Sequence, residues 1–390
     1  MLKKIINGEI YSPDFLGQKD LLLAGDKIAF MLDKGSSFPD EYIDEIIDAE
    51  GKYVLPGFID GHVHIMGGGG EGGYKTRTPE LFLSDAVSAG VTTIVGVIGT
   101  DGTTRTMPSL IAKARALEEE GITCFVHTGS YQVPVKTLTG KIEDDLILID
   151  RIIGCGEIAI SDHRSSQPTV EELSKIASQA RIGGMLSGKA GIVNVHIGDG
   201  KGMLSLLEEA AEVTDLPLTT FYPTHINRNP DLFEAGILFA KKGGWVDLTT
   251  STVPRFLEQG EVKCSKGLKR MLEAGVPLSR ITFTSDAQGS LPEFNAAGEL
   301  TGLQIGKVSS LFQEVRDAVL SEDIPLEKAL KVITENPAAV LKLHSKGKIG
   351  KGFDADLVLC DKTDLSITDV IAKGQVMMQN KEVAVKGTFE

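Results

Sequence analysis

Residues 55–65 read LPGFIDGHVHI, and MGGGGEGG follows directly at 66–73. An apolar run that ends in two histidines one residue apart, then in four glycines, reads as a strand running out into a tight loop. Alternate side chains on a strand share a face, so His62 and His64 point the same way. In a barrel of parallel strands that face is the interior, and the end of the strand is where such barrels carry their chemistry. An H-x-H pair alone is often satisfied by ordinary hydrogen bonds. Its place at the end of this strand is what points to a metal.

Outward from this stretch the chain alternates apolar strands with helical patterns. Candidate strands are 57–64, 91–98, 122–128, 157–160, 191–196, 218–224, 245–249 and 280–285. Between them lie patterns such as PSLIAKARALEEEG and NPDLFEAGILFAKKGG, several of them ending in glycine, the usual helix stop. Eight βα units over 56–345 predict an α/β fold of the (β/α)8 TIM-barrel type. Residues 1–55 and 346–390 read instead as short strands with turn punctuation, KDLLLAGDKIAFM and GKGFDADLVLCD among them. The two ends are expected to share one small β domain, a sandwich clasping the barrel.

Composition bounds the function. Of 390 residues 42% are hydrophobic and 24% charged, which is ordinary for a globular chain. A formal charge of −14 argues against a nucleic-acid or anionic-membrane partner. Any anionic ligand must find its arginines locally. The four cysteines stand singly with no C-x-x-C spacing, so they predict reduced, semi-buried thiols and no zinc knuckle. The apolar stretch after Lys3 and Lys4 is broken at Asn7, Gly8 and Glu9, too early for a signal peptide, and no stretch approaches a membrane span. The expected compartment is the cytoplasm.

There are seven histidines. His196 closes the fifth candidate strand (GIVNVHIGDG), His225 the sixth (FYPTHINRN) and Asp286 the eighth (ITFTSDAQGS). Four imidazoles and a carboxylate converging on one barrel mouth are hard to explain as hydrogen-bonded core, and they are the ligands zinc favours. Two metals fit better than one if a further carboxylate bridges them. His163 is expected to pack or to bond a backbone carbonyl, and His127 and His344 to be structural.

These motifs, with TENPAAVLKL and GKGFDADLVL, resemble the amidohydrolase superfamily over nearly the whole chain. Within it HVHIMGGGGEGG, RTPE, GTDG, TGSYQVP, AISDHRS, HIGDGKG, PTHINRN and TSDAQGS are similar to the isoaspartyl dipeptidase family. The resemblance implies a zinc-dependent hydrolase of small β-aspartyl dipeptides. His62 and His64 would hold one metal, His196 and His225 the other, and Asp286 would handle protons. It also implies that Tyr131 donates to the developing oxyanion and that Gly69, Thr100 and Ser290 touch substrate. A homo-oligomer is implied as well. Such a substrate carries two carboxylates and an ammonium; Arg164 and Arg228 suit the former and Glu71 the latter.

One position departs from the family. Where its members usually carry a lysine that becomes carboxylated and bridges the metals, this chain reads GCGEIAISDHR, with Glu157 in that register and no lysine between Lys141 and Arg164. A glutamate brings its own carboxylate and could bridge without carbon dioxide, though its stem is shorter. Glu157 could also bind one metal or none, leaving a mononuclear enzyme. Two other functions compete: an amidohydrolase of the hydantoinase or D-aminoacylase type, acting on a cyclic amide or N-acyl amino acid, and a non-catalytic scaffold. The first would not need Arg164, Arg228 and Glu71 together; the second would be expected to lose its metal ligands.

Overall fold

A computed structural model describes all residues of the chain except 34, 35, 37 and 295–299. Eight short parallel strands form its centre: β1 (Phe58–Val63), β2 (Val91–Gly96), β3 (Thr123–Thr128), β4 (Ile152–Ile160), β5 (Ile192–Ile197), β6 (Phe221–Thr224), β7 (Val246–Thr249) and β8 (Ile281–Thr284). The first six make one curled sheet in sequential order, and β7 pairs with β8. Backbone hydrogen bonds link the two groups at both edges. Ile226 N donates to Asp247 O at 3.1 Å beside β6 and β7, and Asp286 N donates to His62 O at 3.1 Å between β8 and β1.

All side chains of β1, β2, β4 and β5 are buried. Strands with both faces covered are expected to read as continuous apolar runs, and these largely do. Helices cover the outside. Thr169 starts Val170–Ser187 with a capping box and Gly188 ends it in the left-handed conformation, both standard terminus chemistry. The segment ENPAAV forms the short helix Glu335–Val340. Ala338, Val340, Leu341 and Leu343 pack against Ile59, Val95, Ile153, Ile192 and Tyr222, and Asn336 Nδ2 donates to Ile281 O at 2.7 Å. That segment seals the strands' N-terminal end and leaves the opposite end open.

Strands from both ends of the chain join in a separate ten-stranded sheet, where Lys52–Pro56 pairs antiparallel with Leu357–Asp361. Its apolar cluster includes Ile5, Ile10, Leu21, Val54, Leu357 and Ile371. All four cysteines are free and fully buried. Among the described residues no helix is long and apolar enough to cross a membrane.

Three local expectations are corrected. The fourth strand begins at Ile152, five residues before the expected 157, because Gly154 and Gly156 are strand residues rather than a turn. Residues 218–220, expected as strand, are a turn of 3-10 helix. Beyond β8, Ser290–Phe294 and Leu300–Ile305 form an antiparallel hairpin that the alternating βα reading did not contain.

Candidate active site and metal centre

Six side chains meet at the C-terminal ends of the strands. His62, Glu157 and His196 stand on β1, β4 and β5, while His64, His225 and Asp286 lie just beyond the ends of β1, β6 and β8. His225 and Asp286 have φ of 65° and 53°, a left-handed turn that is uncommon for such residues and worth tracing to function.

The two oxygens of fully buried Glu157 divide the cluster. Oε1 is 3.4 Å from His64 Nε2. Oε2 is 3.4 Å from His62 Nε2, 3.2 Å from His196 Nδ1 and 3.8 Å from His225 Nε2. Asp286 Oδ1 lies 3.0 Å from His64 Nε2 and 3.6 Å from His62 Nε2. Yet His62 Nε2, His64 Nδ1, Glu157 Oε1 and Asp286 Oδ1 are buried without a hydrogen-bond partner. Orphaned polar atoms of this kind are costly in a folded interior unless something else engages them. Two sets could hold an ion, His62 with His64 and Asp286, and His62 with Glu157 and His225. The donor set therefore fits a metal centre, and nitrogen with carboxylate oxygen is the mixture that suits zinc.

Neighbours orient these rings. Asn194 Oδ1 is 3.0 Å from His62 Nδ1 and Thr249 Oγ1 is 2.6 Å from His225 Nδ1, so each ring's Nε2 is turned to the cluster, as in many metal sites. Beneath them, Asp247 accepts from Thr224 and Thr284 at 2.7 and 2.6 Å and from Thr282 at 2.7 Å. Electrostatics keep the carboxylates ionised. Burial opposes the charge on Glu157 and Asp286, but the surrounding imidazoles outweigh it, holding Glu157 well below the usual range and Asp286 at about 2. His62 is disfavoured as a cation by burial, yet Glu157 and Asp286 push it up to about 10. His225 is pushed down to about 3 by burial and by His196. A metal ion held by these carboxylates would displace the proton from His62, since a ligand imidazole must be neutral.

His196 differs from the other three. Both of its ring nitrogens are engaged, Nδ1 by the Tyr131 hydroxyl at 2.7 Å and Nε2 by Asp162 Oδ2 at 3.0 Å.

A cavity of about 670 Å³ opens above the cluster, within the range of small-molecule sites. Gly69, Glu71, Thr100, Tyr131, Arg164, Arg228 and Ser290 all line it. The expected substrate residues thus share one chamber. Glu71 accepts from Ser290 Oγ at 3.0 Å and faces Arg164 NH1 at 3.3 Å. Arg164 is further forked by Asp162, Nε to Oδ1 at 3.0 Å and NH2 to Oδ2 at 2.7 Å. Arg228 is far less committed: its nearest carboxylate, Asp199, is 4.0 Å away and its Nε is unpartnered. The sequence explains where it stands. Asn229 caps the helix Pro230–Lys241 through Leu232 N at 2.9 Å, with Pro230 in its first turn, so Arg228 is the last residue of the loop.

The glycine run is required by its path. At Gly67 (φ 75°) a Cβ would meet Thr78 O at 2.2 Å, and at Gly69 (φ 68°) Thr76 O at 2.6 Å. Arg105, a residue not singled out from the sequence, braces this loop through the carbonyls of Gly68 and Met66 at 2.5 and 3.3 Å. Asp162 and Asn227 were also passed over, although each lies inside a quoted motif, SDHRS and HINRN. His163 neither packs nor bonds a carbonyl: its side chain is 79% exposed and faces Asp162 at 3.7 Å. His344 is exposed. His127 is fully buried with neither ring nitrogen paired, and burial, with His62 nearby, pushes it down to about 3.

Comparison with known proteins extends this geometry. The amidohydrolase family model matches residues 53–388. A beta-aspartyl dipeptidase from Fervidobacterium islandicum AW-1, solved in complex with beta-Asp-Leu dipeptide, is 47% identical and covers 98% of each chain, with a TM-score of 0.91. A deacetylase of Agrobacterium fabrum is 24% identical over 371 residues, 92% of this chain and 82% of its own. Dihydropyrimidinase from Brevibacillus agri shares the fold at 19% identity, with a TM-score of 0.67 and coverage of 99% and 97%.

Proposed function

From the premise that this chain belongs to the amidohydrolase family, we propose that it is a metal-dependent dipeptidase hydrolysing the isopeptide bond of β-aspartyl dipeptides. The observation that carries the reading is the joining, in one cavity, of an orphaned histidine–carboxylate cluster with Glu71 and the uncommitted Arg228. A cyclic amide needs no such pair of opposite charges, and the hydantoin-type neighbours are similar in fold alone.

His62, His64 and Asp286 would hold one zinc ion and His196 and His225 the other, with Glu157 between them through its two oxygens. Bound there, the ions would polarise the scissile carbonyl and lower the pKa of water. Asp286 takes the proton of the attacking water and passes it to the departing amine. For His196 to serve as a ligand, one of its nitrogens must give up its present partner. If that partner is Tyr131, the freed hydroxyl can donate to the oxyanion. Glu71, held by Ser290, receives the substrate ammonium. Arg164 and Arg228 receive its carboxylates, and Gly69 and Thr100 complete the wall around the aspartyl part. In the same reading the eight parallel strands close into a (β/α)8 barrel over 56–345, and the terminal sheet is a small β-sandwich domain of 1–55 and 346–390. The protein is a cytoplasmic homo-oligomer.

The test is an activity screen with zinc supplied, setting β-aspartyl against α-aspartyl dipeptides, hydantoins and N-acyl amino acids. Preference for the β-aspartyl series is expected. Turnover confined to a hydantoin or an N-acyl amino acid would overturn the assignment in favour of the related amidohydrolase activity.

A further inference from the structure

Among the acidic groups of the cavity that the reaction does not use, Glu261 is distinguished by an oxygen without a partner. After β7 the chain forms the short helix Pro254–Glu258, turns at Gly260 and reaches Glu261. Glu261 lines the cavity together with Arg228 and Phe256, and its Oε1 is buried without a hydrogen-bond partner. Its position is not a loop accident. Asn227 Oδ1 accepts from Thr249 N at 2.8 Å, and its Nδ2 donates to Thr249 O at 3.0 Å and Val262 O at 3.1 Å. Val262 N returns a bond to Asn227 O at 2.8 Å. Residues 261 and 228 are therefore neighbours of two positions stapled together, and both side chains line the same cavity.

We propose that Glu261 is the specificity-determining residue for the leaving amino acid, favouring β-aspartyl dipeptides whose second residue carries a cationic side chain, lysine or arginine. This deepens the dipeptidase reading and rests on it. With the scissile bond at the metal cluster and the leaving residue's carboxylate on Arg228, that residue's side chain must extend along the wall around Arg228. Phe256 there offers an apolar face to an aliphatic stem, and Glu261 and Asp199 offer acid to its head. The cations on the wall are occupied otherwise. Arg228 is needed for the carboxylate, and Arg255 has an interaction of its own. Burial pushes the Glu261 carboxyl up to about 7; Thr252 and Arg228 oppose the rise, while Glu314 and Asp199 add to it. A group so disfavoured as an anion gains from an arriving cation.

The experiment compares kcat/KM for β-Asp-Lys, β-Asp-Leu and β-Asp-Glu on the zinc-loaded wild-type enzyme, then on Glu261→Gln and Glu261→Lys. A charge-assisted contact predicts a wild-type preference for lysine over glutamate of about tenfold or more. The lysine-to-leucine ratio should fall by a similar factor in Glu261→Gln, and Glu261→Lys should turn the preference toward glutamate. Hydrolysis of all three without charge preference in the wild type overturns the role of Glu261 while leaving the dipeptidase reading intact, and needs no variant to fold. A ratio unmoved in Glu261→Gln likewise removes Glu261. Failure to hydrolyse any of the three overturns both.

Discussion

At the N-terminal end of the parallel strands Lys346 is buried with its ammonium enclosed: Thr123 Oγ1 accepts at 2.7 Å, Asp354 Oδ2 lies at 2.9 Å, and Asp356 closes the third side. At the opposite end His62, His64 and Glu157 are buried and Asp286 is nearly so, yet each keeps an atom with no partner. Both regions bury charge. One has every proton spoken for and joins the terminal sheet to β3; the other holds donors in reserve. Buried ionic groups as such therefore say little about function in this molecule, whereas unfilled valence at a strand end says much.

The widest separation between the two ends is expected from Glu157→Ala, which removes a carboxylate that faces both halves of the histidine cluster. Metal analysis after zinc loading should show a loss of metal together with activity, because closely spaced cations need an anion between them. Reconstitution of wild-type protein should proceed equally in carbon-dioxide-depleted buffer and with bicarbonate. Unaltered occupancy in the variant, or a bicarbonate requirement, would rule out a direct Glu157 bridge. Next comes Asp286→Asn, which keeps the shape but cannot accept a proton. Turnover should fall by roughly 10²–10⁴ with the fold kept, and near-normal turnover would place the shuttle elsewhere.

The Lys346 end should respond in the opposite currency. Lys346→Met leaves buried Asp356 without its ion-pair partner and Asp354 with Lys27 alone, and is expected to cost about 3–5 kcal/mol in denaturant unfolding. The kinetics of the folded enzyme should be those of the wild type; a selective loss of kcat would tie this cluster to the reaction. The pH dependence has a definite sign. Burial opposes the Lys346 charge, but Asp356 and Asp354 raise its pKa in the fold, so its contribution is present below the unfolded value and lost as pH rises through the folded one. Asp354, disfavoured by burial but held down by Lys346 and Lys27, contributes above its unfolded value and loses that as pH falls through the folded one. The stability gap to the variant should be widest between about pH 4 and pH 10. The smallest of these effects is Arg228→Met, which removes one charge-assisted contact, about 1.5–3 kcal/mol or 10- to 150-fold in kcat/KM.

The open end was far more legible in the sequence than the closed one, for a physical reason. Metal-type chemistry needs particular residues at strand ends, and His62, His64, His196, His225 and Asp286 each sit beside an apolar run and before a glycine or turn residue, a local signature. Lys346 has no such signature: Thr123 is more than two hundred positions away. The start of β4 was hidden because Gly154 and Gly156 imitate a turn. They are glycines for want of room, since a Cβ would meet His127 Nδ1 at 2.7 Å and Asn194 O at 2.4 Å. Glu261 belongs to no motif and acquires its place only through Asn227. Arg164 was legible as a carboxylate binder, but not that Asp162 already fills its fork.

The Asn227 staple has a consequence for the timing of the cycle. Because one amide fixes main-chain atoms on either side of the 250–261 loop, the ordering entropy of that wall is met once, when the chain folds, and is not charged again at each encounter. A ligand meets a finished surface, and its departure does not have to wait for these two loops to part.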